Sequence, residues 1–175
     1  MTREESHSLM QQILSEDTPL DFIGDKLKEL AEQIPTSSEL LGYLDGMLEV
    51  AIPMKSLVAL DLCGTGGDGK STFNISTTTA FVLASMDVPV AKHGNSAASS
   101  KFGSSDVLRA LGVKFPETPE EVEHQFRRAN LVFLHAPFFH PALKRIAPVR
   151  KQLGIRTIFN MLGPLANPVQ PGYQM

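Results

Sequence analysis

Apolar side chains recur at helical spacing through the first part of the chain. Leu9, Met10, Ile13 and Leu14 predict one helix, and Leu20, Ile23, Leu27, Leu30 and Ala31 predict a second that Pro35 ends. Thr36-Ser37-Ser38-Glu39 reads as a capping box ahead of a third apolar stripe, Leu40, Leu41, Leu44, Met47 and Leu48. Beyond this point the pattern changes. Short apolar runs at 58–62, 88–92 and 130–134 predict strands, and helical periods near 76–85, 104–111, 119–129 and 141–153 separate or follow them. Strand–helix alternation of this kind predicts an α/β domain with a parallel sheet. The expected organisation is a helical domain over 1–57, an α/β domain over 58–147, and a crossing segment over 148–175 rich in proline and glycine.

The strands empty into loops adapted to anions. After Leu60-Asp61-Leu62-Cys63 comes Gly64-Thr65-Gly66-Gly67-Asp68-Gly69-Lys70-Ser71, then the hydroxyl-rich helix start Thr72 to Thr77. Glycines let backbone N–H groups converge on phosphate oxygens, and the helix N-terminus adds partial positive charge. The loop spells both the dinucleotide fingerprint and the P-loop pattern. Neither context follows. The next strand ends in Lys92-His93, where a ribose-binding acid would stand, and no later apolar strand ends in the aspartate a magnesium nucleotide needs. A second loop, Lys92 to Asp106, follows the next strand, so two phosphate-adapted loops fall at the carboxyl ends of adjacent strands.

At 175 residues, 42% hydrophobic and 20% charged, the chain can build a sizeable core. A net charge of −3 with dispersed basic residues gives no footprint for nucleic acid, and Arg127-Arg128 and Lys144-Arg145 read as solvated helix faces. The single Cys63 cannot pair internally, and the sequence holds neither a signal peptide nor a long uncharged apolar span, so a cytoplasmic protein without membrane contact is expected. His135 and His140 raise a metal hypothesis, which fails for want of a third ligand and because Pro137 disfavours a regular helix between them.

These motifs together resemble the anthranilate phosphoribosyltransferase family. The resemblance rests on Gly64 to Gly69 with Thr72-Phe73-Asn74-Ile75-Ser76-Thr77, on Lys92-His93-Gly94-Asn95, and on Gly103-Ser104-Ser105-Asp106-Val107-Leu108. It continues through His140-Pro141-Ala142, Pro148-Val149-Arg150 and the run Leu153 to Pro168. It implies the nucleoside phosphorylase/anthranilate phosphoribosyltransferase fold, with a small helical domain that supplies a homodimer contact beside a larger α/β domain. It also implies transfer of the phosphoribosyl group of 5-phosphoribosyl 1-pyrophosphate to anthranilate in tryptophan biosynthesis.

By the same resemblance, Gly64, Gly67, Asp68, Thr72, Asn74, Ile75, Ser76 and Thr77 bind phosphoribosyl pyrophosphate, with Ser76 as a ligand of Mg2+. Lys92, His93, Gly94, Asn95, Ser96, Ala97, Ala98, Ser99, Ser100 and Ser104 complete that surface, His93 through its backbone. Gly64, Asn95 and Arg150 match positions that contact anthranilate. No residue is assigned as catalytic, because displacement of pyrophosphate asks for positioning and countercharge more than covalent work. Ser96 stands where many relatives carry arginine, and the acidic pair that holds magnesium in the family has no match before Met175. The chain by itself is therefore expected to be almost silent catalytically. Two other readings stay open: an enzyme like pyrimidine nucleoside phosphorylase, and a non-catalytic module that binds phosphoribosyl pyrophosphate or dimerises.

Overall fold

The computed structural model describes residues 1–64, 74–95 and 103–175. The first elements are α1 (Arg3–Leu14), α2 (Leu20–Ala31) and α3 (Ser37–Glu49), followed by β1 (Leu60–Asp61), α4 (Ile75–Ser85) and β2 (Val90–Gly94). Then come α5 (Ser104–Ala110), α6 (Pro119–Ala129), β3 (Leu131–His135) and the single turn α7 (Ala136–Phe139). The chain continues through α8 (Leu143–Leu153), α9 (Ile158–Leu165) and β4 (Tyr173–Gln174). It divides into two compact units, the first comprising Met1–Ile52 and His140–Ala166, the second Pro53–Phe139 and Asn167–Met175. No helix among the described residues is long and apolar enough to cross a membrane.

The first unit is all helical. Thr36 and Glu39 cap α3 as their spacing predicts, the hydroxyl accepting from the Glu39 N–H and the carboxylate accepting from the Thr36 N–H. Thr2 and Glu5 build the same box on α1. The apolar stripes of α1 to α3 supply Met10, Ile13, Ile23, Leu27, Tyr43 and Met47 to one core, which Ile146, Ile158, Phe159 and Leu162 complete from α8 and α9. Gly42 and Gly46 let α3 lie directly on α1, since a Cβ at Gly42 would stand 2.2 Å from the Arg3 carbonyl oxygen.

Among the described residues, the second unit holds a parallel sheet of four strands in the order β3-β2-β1-β4. Leu60 pairs with Val90, and Val90 with Leu131, so β1, β2 and β3 end at the same edge. The expected strand over 88–92 begins instead at Val90. Pro89 has no N–H for a ladder, and its carbonyl accepts from Leu60 N at 2.8 Å before regular pairing starts. Thr118 caps α6 with Pro119 at its first position, and Asn130 in the left-handed region (φ 53°) ends it. The buried apolar residues Leu62, Ala80, Val90, Leu108 and Phe133 pack between the sheet and its helices.

Three elements, α9, α7 and β4, were not expected. α9 lies inside the crossing segment and holds Pro164 in its last turn, whereas α8 runs through Pro148 as the helical period over 141–153 predicts; 148–166 belongs to the helical unit and 167–175 to the unit that holds the sheet. Pro137 also sits inside a helical turn, α7, at an early position whose N–H has no acceptor within the helix. β4 escaped the periodicity reading because its two residues are both exposed and pair with β1 across more than half the chain.

Candidate functional site

Sheet register gathers the candidate residues of the second unit. Gly64 follows β1, Lys92, His93 and Gly94 end β2, and Gly94 pairs with His135 at the end of β3. Beneath them lies a buried polar clamp. The Asp61 carboxylate, fully buried, accepts from His93 N and from Asn167 Nδ2, both at 3.0 Å. Asn167 Nδ2 also donates to the Ala91 carbonyl at 2.8 Å, while its own carbonyl oxygen accepts from Val169 N at 3.2 Å. Asp61 and Asn167 thus tie β1, β2 and the segment before β4 into one support. Burial raises the Asp61 pKa against the pull of Asn167, the His93 N–H and nearby Lys92.

Lys92 is likewise buried, its amine donating to the His93 carbonyl at 3.4 Å. Burial pushes its pKa down, opposed by Cys63 and Asp61, and pushes the Cys63 thiol up to about 11. Cys63 is therefore held as a thiol rather than a nucleophilic thiolate. The His93 backbone is engaged within the protein, its N–H donating to Asp61 and its carbonyl accepting from Lys92. A Cβ at Gly94 would stand 2.9 Å from Ser104 Oγ, which donates to the Asn95 carbonyl at 3.4 Å, so a side chain there would displace that hydroxyl. Gly64 is exposed, and no described atom lies within 4 Å of its Cβ position, so packing among these residues does not demand glycine there.

On α4, Asn74 is the N-cap residue without a side-chain cap bond, and Ile75 is exposed with Ser76 half-buried behind it. Thr78 and Thr79 are not caps: their hydroxyls donate back to the carbonyls of Asn74 and Ile75. Thr77 is buried, and its hydroxyl has no hydrogen-bond partner among the described residues. Gly67, Asp68, Thr72, Ser96, Ala97, Ala98, Ser99 and Ser100 lie outside the described residues.

Beside this strand edge, His135 bridges Ser105 and Arg109. Arg109 Nη2 lies 3.0 Å from His135 Nε2, and because a guanidinium only donates, Nε2 must accept. The ring proton then sits on Nδ1 and is donated to Ser105 Oγ at 3.0 Å. Phe115 and Phe138 pack around the ring. Burial lowers the His135 pKa to about 4, with the Arg109 charge adding and Asp106 opposing. Both ring nitrogens are committed, and the His140 ring donates through Nε2 to the Ala166 carbonyl at 2.8 Å. No cluster of His, Cys, Asp or Glu suited to a metal ion occurs among the described residues.

A folded-state pKa below the ordinary histidine value means that the unfolded chain takes the proton first as pH falls. His135 should therefore contribute a loss of stability as pH drops from about 6.5 to about 4. Asp61, shifted the other way, opposes this in the lower part of the window. Denaturant midpoints measured across that range should fall less steeply in His135→Gln than in the native chain. Equal slopes would show that His135 does not stay neutral in the folded protein.

In the helical unit, Arg150 stands in the last turn of α8, half-buried. Its Nη2 donates to Asn160 Oδ1 at 3.3 Å, and its guanidinium carbon lies 5.4 Å from the Phe159 ring centroid. The same Asn160 oxygen accepts from Thr157 N at 3.0 Å. Among the described residues no carboxylate pairs with Arg150, and burial alone lowers its pKa. A partly desolvated cation that meets, among the described residues, a neutral amide and an aromatic face is an arrangement suited to an anionic ligand.

Sequence reading missed Asp61, Asn167, Ser105, Arg109 and Asn160 as supporting residues. The one available signal was Asp61 itself, a charged residue inside an apolar strand pattern.

Residues 56–175 match the glycosyl transferase family, a/b domain. The whole chain aligns with 52% of an anthranilate phosphoribosyltransferase of Bacillus pumilus at 44% identity. Its fold superposes on the crystal structure of anthranilate phosphoribosyltransferase from Thermus thermophilus with a TM-score of 0.93 and 40% identity, over 100% of this chain and 54% of that one. A Saccharomyces cerevisiae anthranilate phosphoribosyltransferase, solved in complex with PRPP and Mg, matches 95% of this chain and 51% of its own with a TM-score of 0.83 and 29% identity. The chain thus spans about half the length of these relatives. With its parallel sheet, glycine loop and matching segments in hand, the chain belongs to the glycosyl transferase family, a/b domain, and is similar throughout its length to anthranilate phosphoribosyltransferases.

Proposed function

We propose that the chain is part of an anthranilate phosphoribosyltransferase, joining the phosphoribosyl group of phosphoribosyl pyrophosphate to the amine of anthranilate with release of pyrophosphate, in tryptophan biosynthesis. The observation that carries this reading is Arg150, a half-buried guanidinium without a carboxylate partner among the described residues. It suits the carboxylate of anthranilate, as a guanidinium binds a carboxylate through two parallel hydrogen bonds. The edge formed by Gly64, Lys92, Gly94, Asn95 and Ser104 supports the phosphoribosyl pyrophosphate assignment, with Lys92 as countercharge and Gly64 as an open backbone approach. Asn95 is exposed beyond β2, where its amide can orient the attacking amine.

Magnesium fits this edge in part. The described residues offer the Ser76 hydroxyl but no carboxylate cluster, which suits an ion bound chiefly by substrate phosphates, as is usual for Mg2+. Bound there, the ion would supply countercharge to the departing pyrophosphate. Lys92 lends its charge to the phosphates from beneath the strand edge and Ser104 can meet them there, while in the helical unit Arg150 fixes the acceptor by its carboxylate.

Anthranilate fluorescence and calorimetric titration test the reading on the chain as it stands. Arg150→Ala should weaken anthranilate binding by about tenfold to hundredfold and leave phosphoribosyl pyrophosphate affinity unchanged, as removal of a charge-assisted hydrogen bond predicts. Equal effects on both ligands, or none on anthranilate, would remove Arg150 from this role. Gly64→Ala should reverse the pattern, losing phosphoribosyl pyrophosphate affinity with an unchanged melting temperature.

A further inference from the structure

We infer that Asn160 is a positioning residue: its uncharged carboxamide, seated at the start of α9, aims the Arg150 guanidinium without neutralising it, so that its remaining donors are kept for a ligand carboxylate. The inference rests on the reading of Arg150 as the carboxylate-binding group. Three observations build it within the helical unit. Asn160 Oδ1 is pinned by the Thr157 N–H at 3.0 Å, so the oxygen that receives Arg150 Nη2 is fixed by backbone rather than free to rotate. The Phe159 ring, 4% exposed and part of the helical core, supplies a rigid face 5.4 Å from the guanidinium carbon. Among the described residues one hydrogen bond and one ring contact fix this planar cation in orientation and leave most of its five N–H donors uncommitted.

The identity of the acceptor carries the chemistry. An aspartate at 160 would accept the same two hydrogen bonds from nearly the same atoms and would hold Arg150 more strongly. It would also cancel the positive charge and compete with any incoming carboxylate. A neutral amide orients the fork and preserves its charge. Asn160 thus favours an acidic acceptor over a neutral aromatic amine, although its side chain need not touch the acceptor.

The near-isosteric Asn160→Asp separates positioning from folding, since it keeps the acceptor for the Thr157 N–H. Anthranilate titration of the chain should show affinity falling at least about tenfold in Asn160→Asp, with phosphoribosyl pyrophosphate affinity in the presence of magnesium unchanged. Asn160→Ala, which keeps the charge but loses the aim, should fall between the native chain and Arg150→Ala. A second readout needs no ligand. The Nε–Hε resonance of Arg150, assigned by its loss in Arg150→Ala, should be sharp and shifted in the native chain and should move to the random-coil position in Asn160→Ala. Native anthranilate affinity in Asn160→Asp, or an Arg150 resonance indifferent to Asn160→Ala, would overturn the inference while leaving Arg150 its ligand role. Native affinity in Arg150→Ala would instead overturn the reading on which it rests, whatever the resonance shows.

Discussion

Gly42→Ala is expected to lower the melting temperature of the helical unit by roughly 6–12 °C, corresponding to about 3 kcal/mol in a chain of this size. The added methyl would lie 2.2 Å from the Arg3 carbonyl oxygen, 3.0 Å from the Arg3 carbonyl carbon and 2.8 Å from Ser6 Cβ. Two of those atoms are backbone, so no rotamer change relieves the clash. Helix α1 must instead retreat from α3, pulling Met10 away from the buried faces of Tyr43 and Met47. The Arg3–Asp45 and His7–Glu49 contacts, at 2.6 and 2.7 Å and both exposed, are too weak to hold the helices together against that displacement. Gly163→Ala is the control. No described atom lies within 4 Å of its Cβ position, and alanine inside α9 should be neutral or gain up to about 1 kcal/mol from helix propensity. Thermal unfolding of both variants followed by circular dichroism checks the pair, and equal melting temperatures would refute the close-packing account.

The second large effect concerns the clamp beneath the strand edge. Asn167→Ala leaves the fully buried Asp61 carboxylate without one of its donors and strands the Ala91 carbonyl, at a cost of about 3–5 kcal/mol. Asn167→Asp is more instructive. It sets a second carboxyl group about 3 Å from Asp61 with little change in volume. The two cannot both ionise, so the pair must keep one proton, and the folded state binds a proton that the unfolded chain releases. Stability of Asn167→Asp should therefore be greatest in acid, where both groups are protonated in either state, and fall as pH rises toward neutrality. That sign is opposite to the His135 contribution, so urea midpoints at about pH 5 and pH 7.5 distinguish the two. A variant whose stability is indifferent to pH would show that Asp61 and Asn167 are not directly bonded.

What could be read from the chain beforehand was what local pattern controls. The first three helices follow from apolar spacing and from caps such as Thr36 with Glu39, whose partners lie three residues apart. The strands β2 and β3 follow from apolar runs between turn signals, with a shift at Pro89. Helix α9 was obscured because Gly163 and Pro164 read as breakers, and the nucleating signals Thr157 and Asn160 stood at the other end. The candidate ligand positions were legible because anion loops are contiguous in sequence. Their supports were not. Asp61 finds Asn167 across 106 residues, and His135 finds Ser105 and Arg109 from a different element, so no local pattern encodes either pairing.

The helical unit is assembled from two stretches of chain separated by the whole of β1 to α7, and this fixes an order of events during synthesis. When α1 to α3 leave the ribosome, the residues that complete their core, Ile146, Ile158, Phe159 and Leu162, have not yet been translated. Arg145, which donates to the Ser15 and Thr18 carbonyls, is also absent at that stage. The nascent helices must therefore wait, partly uncovered, while about 110 further residues, up to Leu162, emerge, a delay of roughly 5–25 s at ordinary translation rates. Closure then brings together segments about 130 residues apart, a contact of high sequence separation whose loop entropy must be met before any burial rewards it. For this chain the vulnerable interval for aggregation and chaperone capture is set by the position of residue 140 in the message, and codon choice between Ile52 and His140 becomes a determinant of yield.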